Sequence, residues 1–359
     1  MQLEIKDKQG TKTLRYEEAV KYHGGFHVAG VALGWKFLEG AMAKCGGVLA
    51  RENMQLTLGA SPPGVVDCLE YATRALSRRR AIVAPGFLAG PEVCCGTLSF
   101  ALKYGPATVT ASLRGHVLPR EFVDTAIRID AGVADAGEIE DWRSKSIAMS
   151  GQFMEKRPRE LFEMSLAETS EESGATPLQA TPLVEYDAME LPPLRIRDDN
   201  LVAGIRLEEM VRFHDKDHYA GVVMAYKLLS LAFQELWGED TPLRRDITIL
   251  TGLNPPGLMD SFEYVARSVT RQRHCLVSQR NGAPMSPFGQ FVFQVQNGDA
   301  HSTFQLRPGL LPDDFTSVGR KAEAGLADSE EQLRWGSYKY GVGKTLAAMD
   351  SSDIFERVQ

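Results

Sequence analysis

The spacing of apolar side chains predicts a regular series of elements in the first half of the chain. Between residues 28 and 44, apolar side chains recur at helical spacing, which predicts a helix. Residues 54–60 alternate as in a strand, and the next helix begins at Pro62-Pro63. The pattern predicts strands at 81–85, 94–105 and 107–115, and helices at 118–129 and 138–155. A short helical turn at 16–22 precedes them. Helices mixed with an antiparallel run predict an α+β fold.

The same pattern returns in the second half of the chain. Residues 15–38 match residues 206–229 at an offset of 191, and residues 59–74 match residues 252–267 at an offset of 193. Chance identity between unrelated segments is only about 6%. The identical pairs of the first block include Glu17/Glu208, Glu18/Glu209, Val20/Val211, His23/His214, His27/His218 and Gly30/Gly221. We therefore expect two tandem copies of one domain, 1–166 and 206–359, forming an intramolecular pseudo-dimer.

The segment 167–205 between the copies has a different composition. It is rich in Pro, Ser, Thr and Glu and shows little hydrophobic periodicity. This composition predicts an extended linker.

Composition and charge exclude several classes of function. The chain has 40 basic and 47 acidic residues, a net charge of −7, which argues against a nucleic-acid binder. The polar start is unlike a secretory signal, and no apolar run of transmembrane length occurs. The five cysteines, with Cys94 and Cys95 adjacent, suit a reduced cytosolic thiol set. We expect a cytoplasmic protein with no membrane or nucleic-acid partner.

Two repeated clusters carry candidate chemistry. The first is His-x-x-x-His, at His23/His27 and His214/His218, which predicts a metal site, an acid/base pair or hydrogen-bonded structural histidines. Gly24-Gly25 interrupts the helix in the first copy and places His27 at the start of the next one. The second cluster predicts ligand-binding groups, a salt-linked stripe on the surface of a helix, or an interface between the two copies. Its members are Asp67, Glu70, Tyr71 and Arg74, and Asp260, Glu263, Tyr264 and Arg267.

These residues resemble the FmdE-like family, which takes its name from a component of molybdenum formylmethanofuran dehydrogenase. The similar pieces are Tyr22-His23-Gly24, residues 30–36 and residues 67–73. The resemblance implies an α+β fold, often dimeric, and in some members a metal site near a histidine- and cysteine-containing segment. Val28 and Ala29 stand where that segment has Cys and Pro, and Gly64 and Ala75 replace other cysteines of the family.

The resemblance and the clusters together predict a small-molecule-binding protein, with an enzyme of one-carbon or specialised metabolism as the leading interpretation. His23, His27 and Asp67 are the predicted ligands of a divalent metal, zinc above all, or acid/base groups together with Glu70 and Tyr71. His214, His218 and Asp260 have the same predicted roles in the second copy. The predicted anion-binding residues, for a carboxylate or phosphate of the ligand, are Arg74, Arg114, Arg267 and Arg307. The alternatives are a non-catalytic accessory or interaction protein, and one active beside one degenerate copy. A further homo-oligomer is compatible with either.

Overall fold

The computed structural model divides the chain into two compact units, Met1–Ala180 and Thr181–Gln359. It describes residues 1–7, 10–93, 95–168, 191–198, 201–214, 218–277 and 282–358. Cys94 and most of the predicted linker lie outside the described residues. Within the described ranges, every helix is too short or too polar to span a bilayer.

The first unit has a mixed α+β fold, as predicted. Its helices are α1 (Tyr16–His23), α2 (Val28–Lys44), α3 (Pro63–Thr73), α4 (Arg120–Asp130), α5 (Ala136–Glu155) and α6 (Pro158–Leu161). Its strands are β1 (Gln2–Asp7), β2 (Gly10–Arg15), β3 (Leu49–Ala50), β4 (Gln55–Leu58), β5 (Ala81–Val83), β6 (Glu92–Val93), β7 (Gly96–Thr97), β8 (Ser99–Tyr104), β9 (Ala107–Leu113) and β10 (Phe162–Glu168).

The main sheet of the first unit has the order β10-β9-β8-β4-β5. All neighbours are antiparallel except β4 and β5, because α3 crosses between them. Helix α2 packs against α3, α5 and α6 and contacts the sheet at β9 and β10. Its side chains are buried on nearly every face, which explains why it is apolar almost throughout.

The second unit has a similar order of elements. Its helices are α7 (Leu207–Phe213), α8 (Tyr219–Trp237), α9 (Pro256–Ala266), α10 (Phe315–Glu323), α11 (Ser329–Ala348) and α12 (Ser351–Ile354). Its strands are β11 (Leu194–Asp198), β12 (Leu201–Ile205), β13 (Ile247–Leu253), β14 (His274–Leu276), β15 (Met285–Ser286), β16 (Gly289–Asn297), β17 (Ala300–Leu306) and β18 (Phe355–Val358). The main sheet has the order β14-β13-β16-β17-β18.

Two boundaries predicted from the sequence differ from those of the structure. The segment 194–205, predicted as the end of the linker, forms the antiparallel hairpin β11–β12. It buries Leu194 and Ile196, as the hairpin β1–β2 buries Leu3 and Ile5. The first unit also extends past residue 166, because β10 continues to Glu168 along β9. The Pro-, Ser-, Thr- and Glu-rich composition of 167–205 as a whole concealed the strand residues at its two ends.

The two helices that carry the second predicted cluster, α3 and α9, both end in the left-handed conformation. Arg74 ends α3 with φ 56°, and Arg267 ends α9 with φ 53°. This left-handed conformation is unusual for a residue other than glycine. Arg79 and Gln272 have similar angles, φ 55° and 56°, in the turns that follow.

Candidate functional site

His23, the last residue of α1, forms a buried pair with Asp67 on α3. The distance between His23 Nδ1 and Asp67 Oδ2 is 2.7 Å, and the two residues are 5% and 3% exposed. The other ring nitrogen, Nε2, accepts a hydrogen bond of 3.2 Å from the backbone N–H of His27. Only an unprotonated nitrogen can accept that bond, so the ring is neutral and its Nδ1–H donates to the carboxylate.

The second unit has the same arrangement. His214 Nδ1 lies 2.7 Å from Asp260 Oδ2, and the N–H of His218 donates to His214 Nε2 over 3.3 Å. Each pair joins the end of one helix, the start of the next and a third helix. In each unit the buried His–Asp pair thus fixes the backbone of the residue before the long helix, His27 before α2 and His218 before α8. We call this set of hydrogen bonds the clamp.

These contacts do not fit the predicted metal site. Both ring nitrogens of His23 are engaged within the protein, so a metal ion bound there would have to break one of these bonds. The described residues contain no group of three or more His, Cys, Asp or Glu side chains arranged to hold a metal ion. The structure brings His23, His27 and Asp67 close together, with the His23 ring hydrogen-bonded to the Asp67 carboxylate and to the backbone N–H of His27.

The remaining carboxylate of the α3 cluster stabilises a turn. The Glu70 carboxylate accepts hydrogen bonds from the N–H groups of Leu76 and Ser77 and from the Ser77 hydroxyl. Glu263 does the same for Val269 and Thr270 in the second unit. Both glutamates are completely buried. This role accounts for both carboxylates within the fold. The predicted salt link within the helix is present between Glu70 and Arg74 at 3.9 Å, but it lies in the interior and not on the surface.

Tyr71 and the four predicted anion-binding arginines have partners within their own units. The Tyr71 hydroxyl donates to Glu18 Oε2 over 2.7 Å. Arg74 is buried, with its Nη1 3.9 Å from Glu70 Oε1, and Arg267 donates to the carbonyl of Tyr264. The other two arginines pair with glutamates of the neighbouring edge strands, Arg114 with Glu163 and Arg307 with Glu356. These contacts give each side chain a role in the fold that needs no anionic ligand.

A pocket lies beside His27, at the start of α2 in the first unit. Its volume is about 630 Å³, counting the space open to solvent. Apolar side chains dominate its wall, with His27, Asp130 and Ser146 as the polar members. The wall consists of His27, Ala29, Gly30, Leu33, Pro62, Pro63, Val65, Val93, Leu98, Leu118, Phe122, Val123, Ala126, Ile127, Asp130, Trp142 and Ser146.

His27 is held in this wall by the structure around it. It precedes the first residue of α2, and its ring lies edge-on to Trp142, with ring centroids 5.0 Å apart. Trp142 in turn stacks on Phe122 at 4.8 Å. A Cβ at Gly64 would lie 2.0 Å from the carbonyl oxygen of His27, so only glycine lets α3 approach so closely.

The second unit has a pocket at the matching positions. Its volume is about 460 Å³, again counting space open to solvent. At the repeat offsets, His218, Phe315 and Trp335 stand in place of His27, Phe122 and Trp142. The wall consists of His218, Ala220, Gly221, Met224, Leu253, Pro255, Leu258, Ser286, Phe288, Phe291, Leu311, Phe315, Trp335, Lys339 and Val342.

A carboxylate engages the histidine of the second pocket. Glu323 Oε1 accepts a hydrogen bond of 2.9 Å from Trp335 Nε1 and lies 3.5 Å from His218 Nε2. Hydrogen bonding from His218, together with that from Trp335, lowers the pKa of Glu323 below its usual value. In the first unit, by contrast, Trp142 Nε1 donates to the backbone carbonyl of Phe122 over 2.9 Å.

Sequence reasoning found the histidines but missed the aromatic wall. Trp142 and Trp335 correspond at the offset of 193, so the internal match already marked these tryptophans as candidates for a shared role. Comparison of the sequence with protein-family models and with curated proteins finds no match. The candidate site therefore depends on the geometry and on the agreement between the two units.

Proposed function

We propose that the chain is a small-molecule-binding protein with one ligand pocket in each unit. In this proposal an FmdE-like α+β module has been duplicated to form an intramolecular pseudo-dimer. The observation that carries the proposal is the presence of two pockets at corresponding positions, each with a histidine, a tryptophan and a phenylalanine in its wall. Packing alone does not require an open apolar pocket, because interiors are normally filled to high density.

The proposed ligand has an apolar body and at least one polar group. The aromatic and proline side chains contact the body, and His27 or His218 contacts the polar group as a hydrogen-bond partner or acid/base group. Ser146 is the hydroxyl-bearing residue of the first pocket, and it already donates to the carbonyl of Phe26 and accepts from the N–H of Ala29. These contacts favour non-covalent binding over nucleophilic catalysis.

His23 and Asp67, with His214 and Asp260, are positioning residues in this proposal. They hold the backbone of His27 and His218, and they do not contact the ligand. A divalent metal is not part of the mechanism, because the donor atoms of His23 are engaged in the clamp.

The proposal can be tested with an apolar fluorescent probe. We expect 1-anilinonaphthalene-8-sulfonate to bind the folded protein at micromolar concentrations and to accept energy from Trp142 and Trp335. Ala126→Trp should block the first pocket, since Ala126 lies in its wall. Thr125→Trp, on the same helix but outside the wall, is the matched control.

The expected result is that Ala126→Trp halves the number of bound probe molecules while the control binds as the wild type does. Equal binding by the wild type and both variants would contradict a ligand site at this position. A thermal melt of each variant shows whether loss of binding reflects loss of folding instead.

A further inference from the structure

A second, larger cleft borders the first pocket on its outer side. This outer cleft has a volume of about 1460 Å³, counting the space open to solvent. Four apolar side chains belong to the walls of both cavities, so the two cavities share a boundary. These side chains are Val93, Leu118, Val123 and Ile127. An extension of a ligand in the first pocket would pass between β6 and α4 to reach the outer cleft.

The wall of the outer cleft is much more polar than that of the pocket. Arg114 Nη1 lies 3.0 Å from Glu163 Oε1. Arg120 Nε lies 3.5 Å from Asp124 Oδ1. All four side chains line the cleft, so each arginine of this wall is paired with a carboxylate of the same wall. Hydrogen-bond donors and acceptors therefore lie side by side along it.

In the second unit a hydrogen bond bridges the corresponding space. Val123 and Glu92, which both line the outer cleft, correspond to Thr316 and Met285 at the offset of 193. The Thr316 hydroxyl donates to the Met285 carbonyl over 2.8 Å. This bond joins α10 directly to β15, whereas the matching residues of the first unit have apolar and acidic side chains in the wall of a cleft.

Close packing one turn further along α10 has the same effect. A Cβ at Gly319 would overlap the Pro287 ring, so α10 approaches the segment after β15 as closely as only glycine permits. The corresponding residue of α4 is Ala126, which carries the Cβ for which α10 has no room. The two units therefore differ at the outer side of the pocket, which is bridged in the second unit and bordered by the outer cleft in the first.

We propose that the first unit binds an elongated molecule whose apolar end occupies the pocket and whose uncharged, hydroxyl-bearing tail lies in the outer cleft. A hydroxyl group both donates and accepts, so it can bond to an arginine and to the paired carboxylate without separating them. A tail with a full charge would face both signs at once. The second unit takes only the apolar end, because α10 and β15 are joined where the tail would leave. This inference rests on the proposed function, since it names the ligand class of the same pocket.

The test compares phenol with phenyl β-D-glucoside, which adds a hydroxyl-bearing tail to the ring, and with phenyl phosphate, which adds a charged one. The full chain is labelled with 5-fluorotryptophan and titrated by ¹⁹F NMR. Trp142 reports on the first pocket and Trp335 on the second, and Trp142→Phe and Trp335→Phe assign their signals. In the first pocket the glucoside should bind about fivefold more tightly than phenol, or better, since one net hydrogen bond is worth that much. In the second pocket it should show no gain.

Two substitutions show whether the gain depends on the outer cleft. Asp124→Trp should abolish it, because the indole would fill the cleft beside Arg120, whereas the affinity for phenol should stay the same. Asp141→Trp is the matched control. It also removes an exposed aspartate that pairs with a cation four residues away on its helix, but Asp141 belongs to neither wall.

The outcomes separate this inference from the proposed function. A glucoside gain that is lost in Asp124→Trp and kept in Asp141→Trp supports the inference. A gain that is absent from the wild type, persists in Asp124→Trp, disappears in both variants or is exceeded by that of phenyl phosphate would overturn it. Phenol binding at Trp142 and Trp335 would then leave the proposed function standing. Failure of all three probes to bind the folded wild-type protein would overturn both.

Discussion

Replacement of His23 by alanine should destabilise the first unit without any involvement of metal. The substitution removes the donor to Asp67 Oδ2 and the acceptor of the His27 N–H, both in a buried environment. A lost hydrogen bond to a charged group, a polar group left unsatisfied and the resulting cavity together cost about 4 kcal/mol. For a unit of this size that corresponds to a fall in melting temperature of about 8–16 °C.

A second substitution, His23→Asn, separates the contributions of the two hydrogen bonds of His23. The side-chain nitrogen of asparagine can replace Nδ1 but not Nε2, so His23→Asn should retain the bond to Asp67. It should lose only the longer bond of 3.2 Å, which is worth about 1 kcal/mol or 2–4 °C. His214→Ala is the matched variant in the second unit, where the same atoms lie at 2.7 Å and 3.3 Å. Its effect should be similar.

The assay is a thermal melt followed by circular dichroism, with and without EDTA and with added zinc. The wild-type melting temperature should be the same in all three conditions. A fall in EDTA as large as that caused by His23→Ala would refute the reasoning, since it would show that the histidine acts through a metal. A melting temperature of His23→Ala within about 2 °C of wild type would refute it as well.

Three further predictions concern Arg74, Glu323 and the cysteines Cys68 and Cys275. Arg74→Ala should destabilise the fold by about 3–5 kcal/mol in urea denaturation, because it removes the guanidinium beside the fully buried Glu70. The pKa of Glu323 is lower in the folded protein, so its stabilising effect is complete above the unfolded value of 4.5 and is lost as pH falls through the folded pKa. Glu323→Gln should therefore flatten the acid limb of a melting-temperature profile measured from acid to neutral pH. Burial raises the pKa of the Cys68 thiol, so peptide mapping after iodoacetamide treatment should find the exposed Cys275 alkylated and Cys68 unmodified.

The sequence predicted the helices well because their signals are local. The apolar spacing in 28–44 and the Pro62-Pro63 start correspond to α2 and α3 within one or two residues. Gly24 ends α1 in the left-handed conformation, as the break between His23 and His27 suggested. The hairpin β1–β2 was missed because only alternate residues such as Leu3 and Ile5 are buried, in a segment that is otherwise polar.

The chemistry of the site was less predictable, for a physical reason. Two histidines four residues apart have the same spacing whether they bind a metal or the backbone. In this protein a backbone N–H donates to His23 Nε2 over 3.2 Å, and sequence patterns do not encode that distance. Trp142 lies over a hundred residues from His27, so its place in the same wall required the fold.

The left-handed residues that end α3 and α9, and those in the turns that follow, differ in how far they agree between the two units. Positions 74 and 267 are both arginine although glycine would adopt the angle more easily, and both side chains are buried. At 79 and 272 the angle is the same but the side chains differ, arginine in one half and glutamine in the other. Replacement of Arg79 by glycine should relieve about 1 kcal/mol of backbone strain. The same replacement at Arg74 would remove the guanidinium that lies beside the buried Glu70 carboxylate.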